Sequence, residues 1–259
     1  MTDDDIDEAK NWLGEDIDCS SCAHHEDLLP AGKCQLRRAC VNDRYARRID
    51  RFFNWNTDLA NSYVGHEHFE VRAIAAKHAD IFFLRPLLND PEETVRWNAA
   101  RRLPKRMILP LRTDPHREVR IRIVSLLEDA DLTPMMSDED YYVRLVVARR
   151  LAPPLLSRMV EDPEPEVRKV VAKRLPAEWL LRMAHDESPQ VRLEVAQRLA
   201  PDLLSALVAD PDWRVRYEVA SRIAAAQLSH LIDDDDDFVR EVARSRVKAG
   251  GELVREMPL

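Results

Sequence analysis

A Val-Arg pair returns every 24 residues along most of this chain: Val71-Arg72, Val95-Arg96, Val119-Arg120, Val143-Arg144, Val167-Arg168, Val191-Arg192, Val215-Arg216 and Val239-Arg240. The eight copies never slip register. A unit of that length is too small to bury its apolar face alone, so successive units must stack.

Counted from its valine, each unit is apolar at plus four and plus eight, as at Val171 and Leu175. It is small at plus five, where Ala76, Ala100, Ala148, Ala172, Ala196 and Ala220 stand. That spacing predicts one amphipathic helix of about three turns. Five residues before the valine stands Asp (Asp90, Asp114, Asp138, Asp162, Asp186, Asp210, Asp234), often followed by Pro. Asp then Pro reads as a helix start, with Asp capping free amides and Pro in the first turn. Pro104, Pro153, Pro176 and Pro201 block continuation at the far end. The rest of each unit carries two apolar anchors three apart, such as Leu180 with Met183 and Leu204 with Leu207. They predict a short second helical turn of the 3₁₀ kind. Twenty-four residues are too few for the paired helices of armadillo, HEAT or tetratricopeptide units, and no strand-like alternation appears. The expected fold is all-α, a superhelical solenoid without a sheet. Polar Arg244 and Glu252 mark the last unit as a cap, and Gly250-Gly251 read as the end of its helix.

The recurrent arginine constrains the interior. At about 100° per residue it falls roughly 100° from its valine, inside the apolar arc. A guanidinium there needs a partner, because an unpaired buried charge is too costly to keep. The repeated Asp side chains or helix-end carbonyls are the expected partners, giving an internal ladder rather than a row of cations facing phosphates. The arginines at plus seven lie on the flank of the arc and leave a basic stripe open.

All four cysteines fall upstream, at Cys19, Cys22, Cys34 and Cys40. The chain opens with MTDDDIDE, and neither a signal-peptide pattern nor an apolar run of membrane-spanning length is present. A cytoplasmic protein is expected, where thiols stay reduced and clustered cysteines point to a metal. Zinc favours two tight knuckles; Cys19–Cys22 fits that form, and the wider Cys34–Cys40 pair fits it less well. An iron–sulfur cube tolerates one C-x-x-C plus two looser cysteines. Iron–sulfur, zinc and metal-free thiols all stay open on residues alone. The basic run Lys33, Arg37, Arg38, Arg44, Arg47, Arg48 and Arg51 suits an anionic cluster. His24 and His25 read as solvated loop residues. Residues 1–18 read as a short acidic helix or tail through Ile6, Ala9, Trp12 and Leu13. A second helix is expected from Asn42 to Trp55, with Tyr45, Ile49, Phe52 and Phe53 inward. The natural division is a cysteine-rich domain at 1–64 and the repeat array at 65–259.

The two features together resemble the leucine-rich repeat variant family. Its pattern D-P-x-x-x-V-R-x-x-V-A-x-R-L is matched, for example, from Asp162-Pro163 through Val167-Arg168, Val171-Ala172 and Arg174-Leu175. The resemblance implies alternating α and 3₁₀ helices in a right-handed superhelix. It also implies a [4Fe–4S] cluster on Cys19, Cys22, Cys34 and Cys40. It implies no reaction.

Function is less constrained. Residues 1–64 hold 13 acids and 8 bases, net −5, and the remainder 34 acids and 31 bases, net −3. Neither part shows the basic excess of a nucleic-acid-wrapping array. No nucleophile–base constellation, phosphate loop or HExxH is present, so the chain is not expected to be an enzyme. The expectation is a scaffold that binds another protein, with a structural or redox-sensing cluster. Electron transfer to a docked redox partner is the alternative.

Overall fold

Buried valines and an extended residue after the last turn decide where the well-formed repeat helices lie. The computed structural model describes residues 8–255, and side chains only as far as residue 249. Helix α1 (Ala46–Trp55) and the short α2 (Ala60–Tyr63) precede the array. The repeat helices are Phe69–His78, Glu93–Ala100, Arg117–Ile123, Tyr141–Arg150, Pro165–Arg174, Pro189–Arg198, Trp213–Arg222 and Asp237–Arg255. Short 3₁₀ segments such as Pro153–Met159, Ala177–Met183 and Pro201–Leu207 join them. Among the described residues there are no strands, only isolated bridges. The fold is therefore the expected all-α alternation. No helix among these residues is long and apolar enough to cross a membrane.

One unit shows why the pattern folds this way. Val167, Val171, Ala172, Leu175 and Leu180 are all 0% exposed, so the helix and its following 3₁₀ turn share one core. Full burial of a Val or Leu side chain is worth about 1.5–3 kcal/mol, repeated here in every unit. Leu175 stops the helix in extended backbone (φ −57°, ψ 140°), as the clash with Pro176 requires.

The chain divides into two compact units, Met1–Asp131 and Leu132–Leu259. The first holds the cysteine segment together with the first repeats, so residue 64 falls inside it. In both units the plus-one arginine makes the ladder. In the first, Arg72 donates from Nε and Nη2 to Asp90 (2.7 and 2.9 Å), and Arg96 does the same to Asp114 (2.7 and 2.7 Å). In the second, Arg144, Arg168, Arg192 and Arg216 reach Asp162, Asp186, Asp210 and Asp234 in the same bidentate way. The remaining Nη1 donates backwards to carbonyls of the arginine's own unit, as from Arg192 to Asp186 O (2.8 Å). Each guanidinium thus clamps its own turn and the next unit's aspartate.

The aspartate is not the helix cap that Asp-Pro implied. Its other hydrogen bond is an Asx turn, as from Glu164 N to Asp162 Oδ1 (2.9 Å). The helix starts later, with Glu164 as N-cap, so Pro163 precedes the helix rather than opening it. The carboxylate is fixed by its own turn and then presented to the preceding arginine.

Two further expectations change. Residues 8–18 are not helical; Ile6 lies outside the described residues. Asn11 Oδ1 accepts from Leu13 N and Glu15 N (both 3.0 Å), and Gly14 sits at φ 84°. A side chain that satisfies backbone amides locally competes with the helix. The last helix does not end at Gly250-Gly251 but runs on to Arg255. A helical glycine costs about 1 kcal/mol, which a continuing helix can carry.

Candidate metal centre

Two local turns bring the thiols together. Cys19–Ser21 forms a 3₁₀ turn capped by Asp18, which accepts from Ser20 N (2.8 Å). That turn brings Cys22 N to Cys19 O (3.3 Å) and closes the C-x-x-C knuckle. The wider pair is closed by a hairpin. Gln35 and Ala39 exchange both backbone hydrogen bonds (2.8 Å each), with Arg37 at the tip at φ 65°. Cys34 and Cys40 flank that bridge, so their five-residue gap is a tight connection.

The hairpin is anchored on α1. Asn56, buried just past its end, donates to Lys33 O (2.7 Å) and Phe52 O (2.9 Å) and fixes the residue before Cys34. At the other end of α1, fully buried Arg48 donates to Asp43 Oδ2 (3.0 Å) and Glu8 O (2.8 Å). This places the residues after Cys40 and ties residue 8 to them. The helix begins at Ala46 rather than Asn42, because Asp43 Oδ1 takes Tyr45 N in a turn of its own (3.0 Å). Ile49, Phe52 and Phe53 are buried as expected.

All four cysteines are free and line one small cleft. Ile17, His24, Leu29 and Leu36 share the lining. Burial pushes the Cys19 and Cys34 thiols up, and their thiol neighbours push them further. Burial also pushes Cys40 up, to about 12, against a backbone hydrogen bond from Asn42. The charged side chains that act on these three thiols are Asp18, Asp27 and Asp43. Of the expected cationic run, Arg44 is held by Glu8 and Tyr45, and Arg51 donates to Arg38 O (3.0 Å).

The set fits an iron–sulfur cluster in its donor chemistry. Four thiols converge on one largely apolar cleft, and Cys22 Sγ also receives His24 N (3.5 Å) and Asn42 Nδ2 (3.6 Å). Such N–H···S bonds are among the groups that tune cluster sulfur.

Sequence reasoning missed His24. Its side chain is only 11% exposed, and Nε2 lies 2.6 Å from Tyr63 Oη. The ring packs on Phe52 and Tyr63. Burial first, then Cys22, Cys40 and Asp27, push the Tyr63 phenol up to about 12. The C-x-x-C two residues upstream was the available signal for a packed histidine. His25 is exposed, as expected. Trp12 packs between His66 and His68 (centroids 5.0 and 5.1 Å), and Trp55 lies under Arg38; neither lines the cleft.

The plus-seven arginines were also underread. Arg102 donates to Ala76 O (3.0 Å), Arg198 to Ala172 O and Leu175 O (2.6 and 2.8 Å), and Arg246 to Ala220 O and Ile223 O (2.8 and 2.6 Å). Each caps the carbonyl end of the preceding unit's helix, so they form no free basic stripe.

Comparison with known proteins bears on both regions. Residues 9–62 match the family described as "LRV protein FeS4 cluster". A solved structure described as a leucine-rich repeat variant with a novel repetitive protein structural motif is 40% identical. It covers 89% of this chain and 98% of its own, with a TM-score of 0.82. An uncharacterized 27.7 kDa protein in the nifB 3′ region of Rhodobacter capsulatus is 45% identical over 97 residues. That match spans 38% of this chain and 39% of the relative, about two fifths of its length.

Proposed function

The chain belongs to the leucine-rich repeat variant family and carries an iron–sulfur cluster domain, and we propose that the array is a protein-binding scaffold. In this reading Cys19, Cys22, Cys34 and Cys40 hold a [4Fe–4S] cluster. The observation that carries it is the convergence of four free thiols from two separate turns on a single cleft. When bound, the cluster supplies one-electron redox chemistry and a cross-link between those turns. Asn56 and Arg48 hold the turns in place, and His24 N and Asn42 donate to Cys22. Four thiolates on four irons leave no iron open to substrate, so the reading is non-catalytic. A cytoplasmic location, where thiols stay reduced, belongs to the same reading.

A protein partner is favoured over nucleic acid because both repeated arginines are engaged internally, by aspartates or by helix-end carbonyls. A second reading, electron transfer, has its own support. Cys19, Cys22 and Cys34 are only partly buried, which would leave a cluster close to the surface.

The test is an absorbance spectrum with iron, sulfide and zinc analysis on anaerobically purified protein, followed by dithionite. A broad band near ~400 nm with about four irons and four sulfides supports the cluster reading. One zinc and no colour would replace it with a structural knuckle. Bleaching by dithionite keeps electron transfer alive, and a spectrum indifferent to dithionite removes it.

A further inference from the structure

In an array of near-identical units, a side chain that departs from its unit's pattern is not needed by the fold. Arg85 and Arg106 are two such departures. They occupy positions plus 14 and plus 11 of consecutive units. At the same pair of positions further along stand Ser157 with Glu178, Leu181 with Asp202, and Ser205 with Ala226. No other pair of units places an arginine at either position.

Both arginines line one solvent-open cleft of about 920 Å³ within the first unit. Both are exposed, and neither side chain has a hydrogen-bond or ion-pair partner among the described residues. The carboxylates in the same cleft do not neutralise them. Asp90 is held by Arg72 and Asp114 by Arg96, both bidentate. Leu88, Met107 and Pro110 add apolar surface to the lining of the same cleft. A groove lined by the equivalent Asp210, Arg216 and Asp234 lies in the second unit, at about 730 Å³. There the added groups are His230, Asp233 and Asp235. The same inter-repeat groove thus has opposite character in the two places.

We propose that the Arg85–Arg106 cleft binds an acidic peptide segment of a partner protein. Two carboxylates would meet the two guanidiniums, and an apolar residue between them would sit on Leu88, Met107 and Pro110. Guanidinium matches carboxylate in a two-pronged geometry. The apolar part of the lining favours a peptide over a phosphate polymer, whose backbone offers no apolar group to it. The proposal rests on the protein-binding reading and names the chemistry of that partner.

A random twelve-residue peptide library panned on the full, cluster-loaded chain tests it. Enriched peptides should carry paired Glu or Asp around an apolar residue. Their affinity should fall at least tenfold in Arg85→Glu/Arg106→Glu, fall less in Arg85→Lys/Arg106→Lys, and stay unchanged in Asp233→Asn/Asp235→Asn. Circular-dichroism melts of the arginine variants should match the parent, since neither side chain makes an internal pair. Enriched peptides indifferent to Arg85 and Arg106 would overturn the cleft and leave protein binding standing. No enrichment would sink both. Tighter binding of a twelve-nucleotide single-stranded DNA than of any peptide would overturn the proposal in favour of a phosphate ligand.

Discussion

The repeat array and the cysteine cleft treat their recurrent ionisable groups in opposite ways. In the array every described plus-one guanidinium meets hydrogen-bond acceptors, and six of them meet a neighbouring carboxylate bidentately. In the cysteine segment the thiols face one another and Asp18, Asp27 and Asp43. The array is therefore complete in its own amino acids. The segment gathers groups whose anionic forms repel, an arrangement that a positive metal centre relieves. Stability in the array comes from paired side chains; in the cysteine segment, on the proposed reading, a bound group adds to the Arg48–Asp43 pair.

The sharpest break is Cys34→Ser. It should reduce iron to a trace and unfold residues 9–62 while the later repeats keep their helical signal. Iron analysis with limited proteolysis reads both, and a variant that retains full iron would remove Cys34 from the ligand set. Next is Arg168→Met, which strands the nearly buried Asp186. It should cost about 3 kcal/mol in urea unfolding without loss of iron. Adding Asp186→Leu should restore much of that, because an apolar pair can replace a buried ion pair.

The ladder also has a pH signature. Arg216's hydrogen bonds hold the Asp234 carboxyl below its ordinary value of 3.8. Burial pushes Asp90 up, but Arg72 and the Glu92 amide outweigh it, so its value is lowered too. A depressed carboxyl contributes stability that is present above the unfolded value and lost as pH falls through the folded one. The ladder's contribution should be flat from pH 7 to about 5 and fall below about pH 4; a loss beginning near neutrality would point to other groups such as His66, whose burial lowers its value.

Smaller effects sharpen the contrast. Arg198→Ala removes two hydrogen bonds to helix-end carbonyls and should cost about 2 kcal/mol, again with iron unchanged. Arg37→Gly should raise the melting temperature of the cluster-loaded protein slightly. It relieves a left-handed residue at the hairpin tip, worth less than about 1 kcal/mol after glycine's entropy. A lower melting temperature would show that Arg37's side chain matters more than its backbone.

The array was legible in the sequence because its period, apolar arc and buried charge all constrain one another. The angle of Arg168 relative to Val167 already demanded an anion, and Asp was the repeated anion available. What the angle does not give is reach. Arg198 caps a carbonyl 26 residues earlier, and that distance is set by how units stack. Asp162 was misread as a cap because Asx turns and N-caps use the same residue and the same acceptor atom. The cysteine spacing showed that the thiols belong together but not how. The Gln35–Ala39 hairpin depends on Arg37 in a conformation its type rarely adopts. Residues 8–18 kept helical spacing while Asn11 and Gly14 made a turn, a local competition that periodicity does not see.

The contrast is tested most directly by hydrogen–deuterium exchange on the full chain, cluster-loaded and after chelator treatment. Removing the metal should erase protection across residues 9–62 and leave the Pro165–Arg174, Pro189–Arg198 and Trp213–Arg222 helices as slow as before. Loss of protection in those helices as well, or unchanged protection in residues 9–62, would contradict the account.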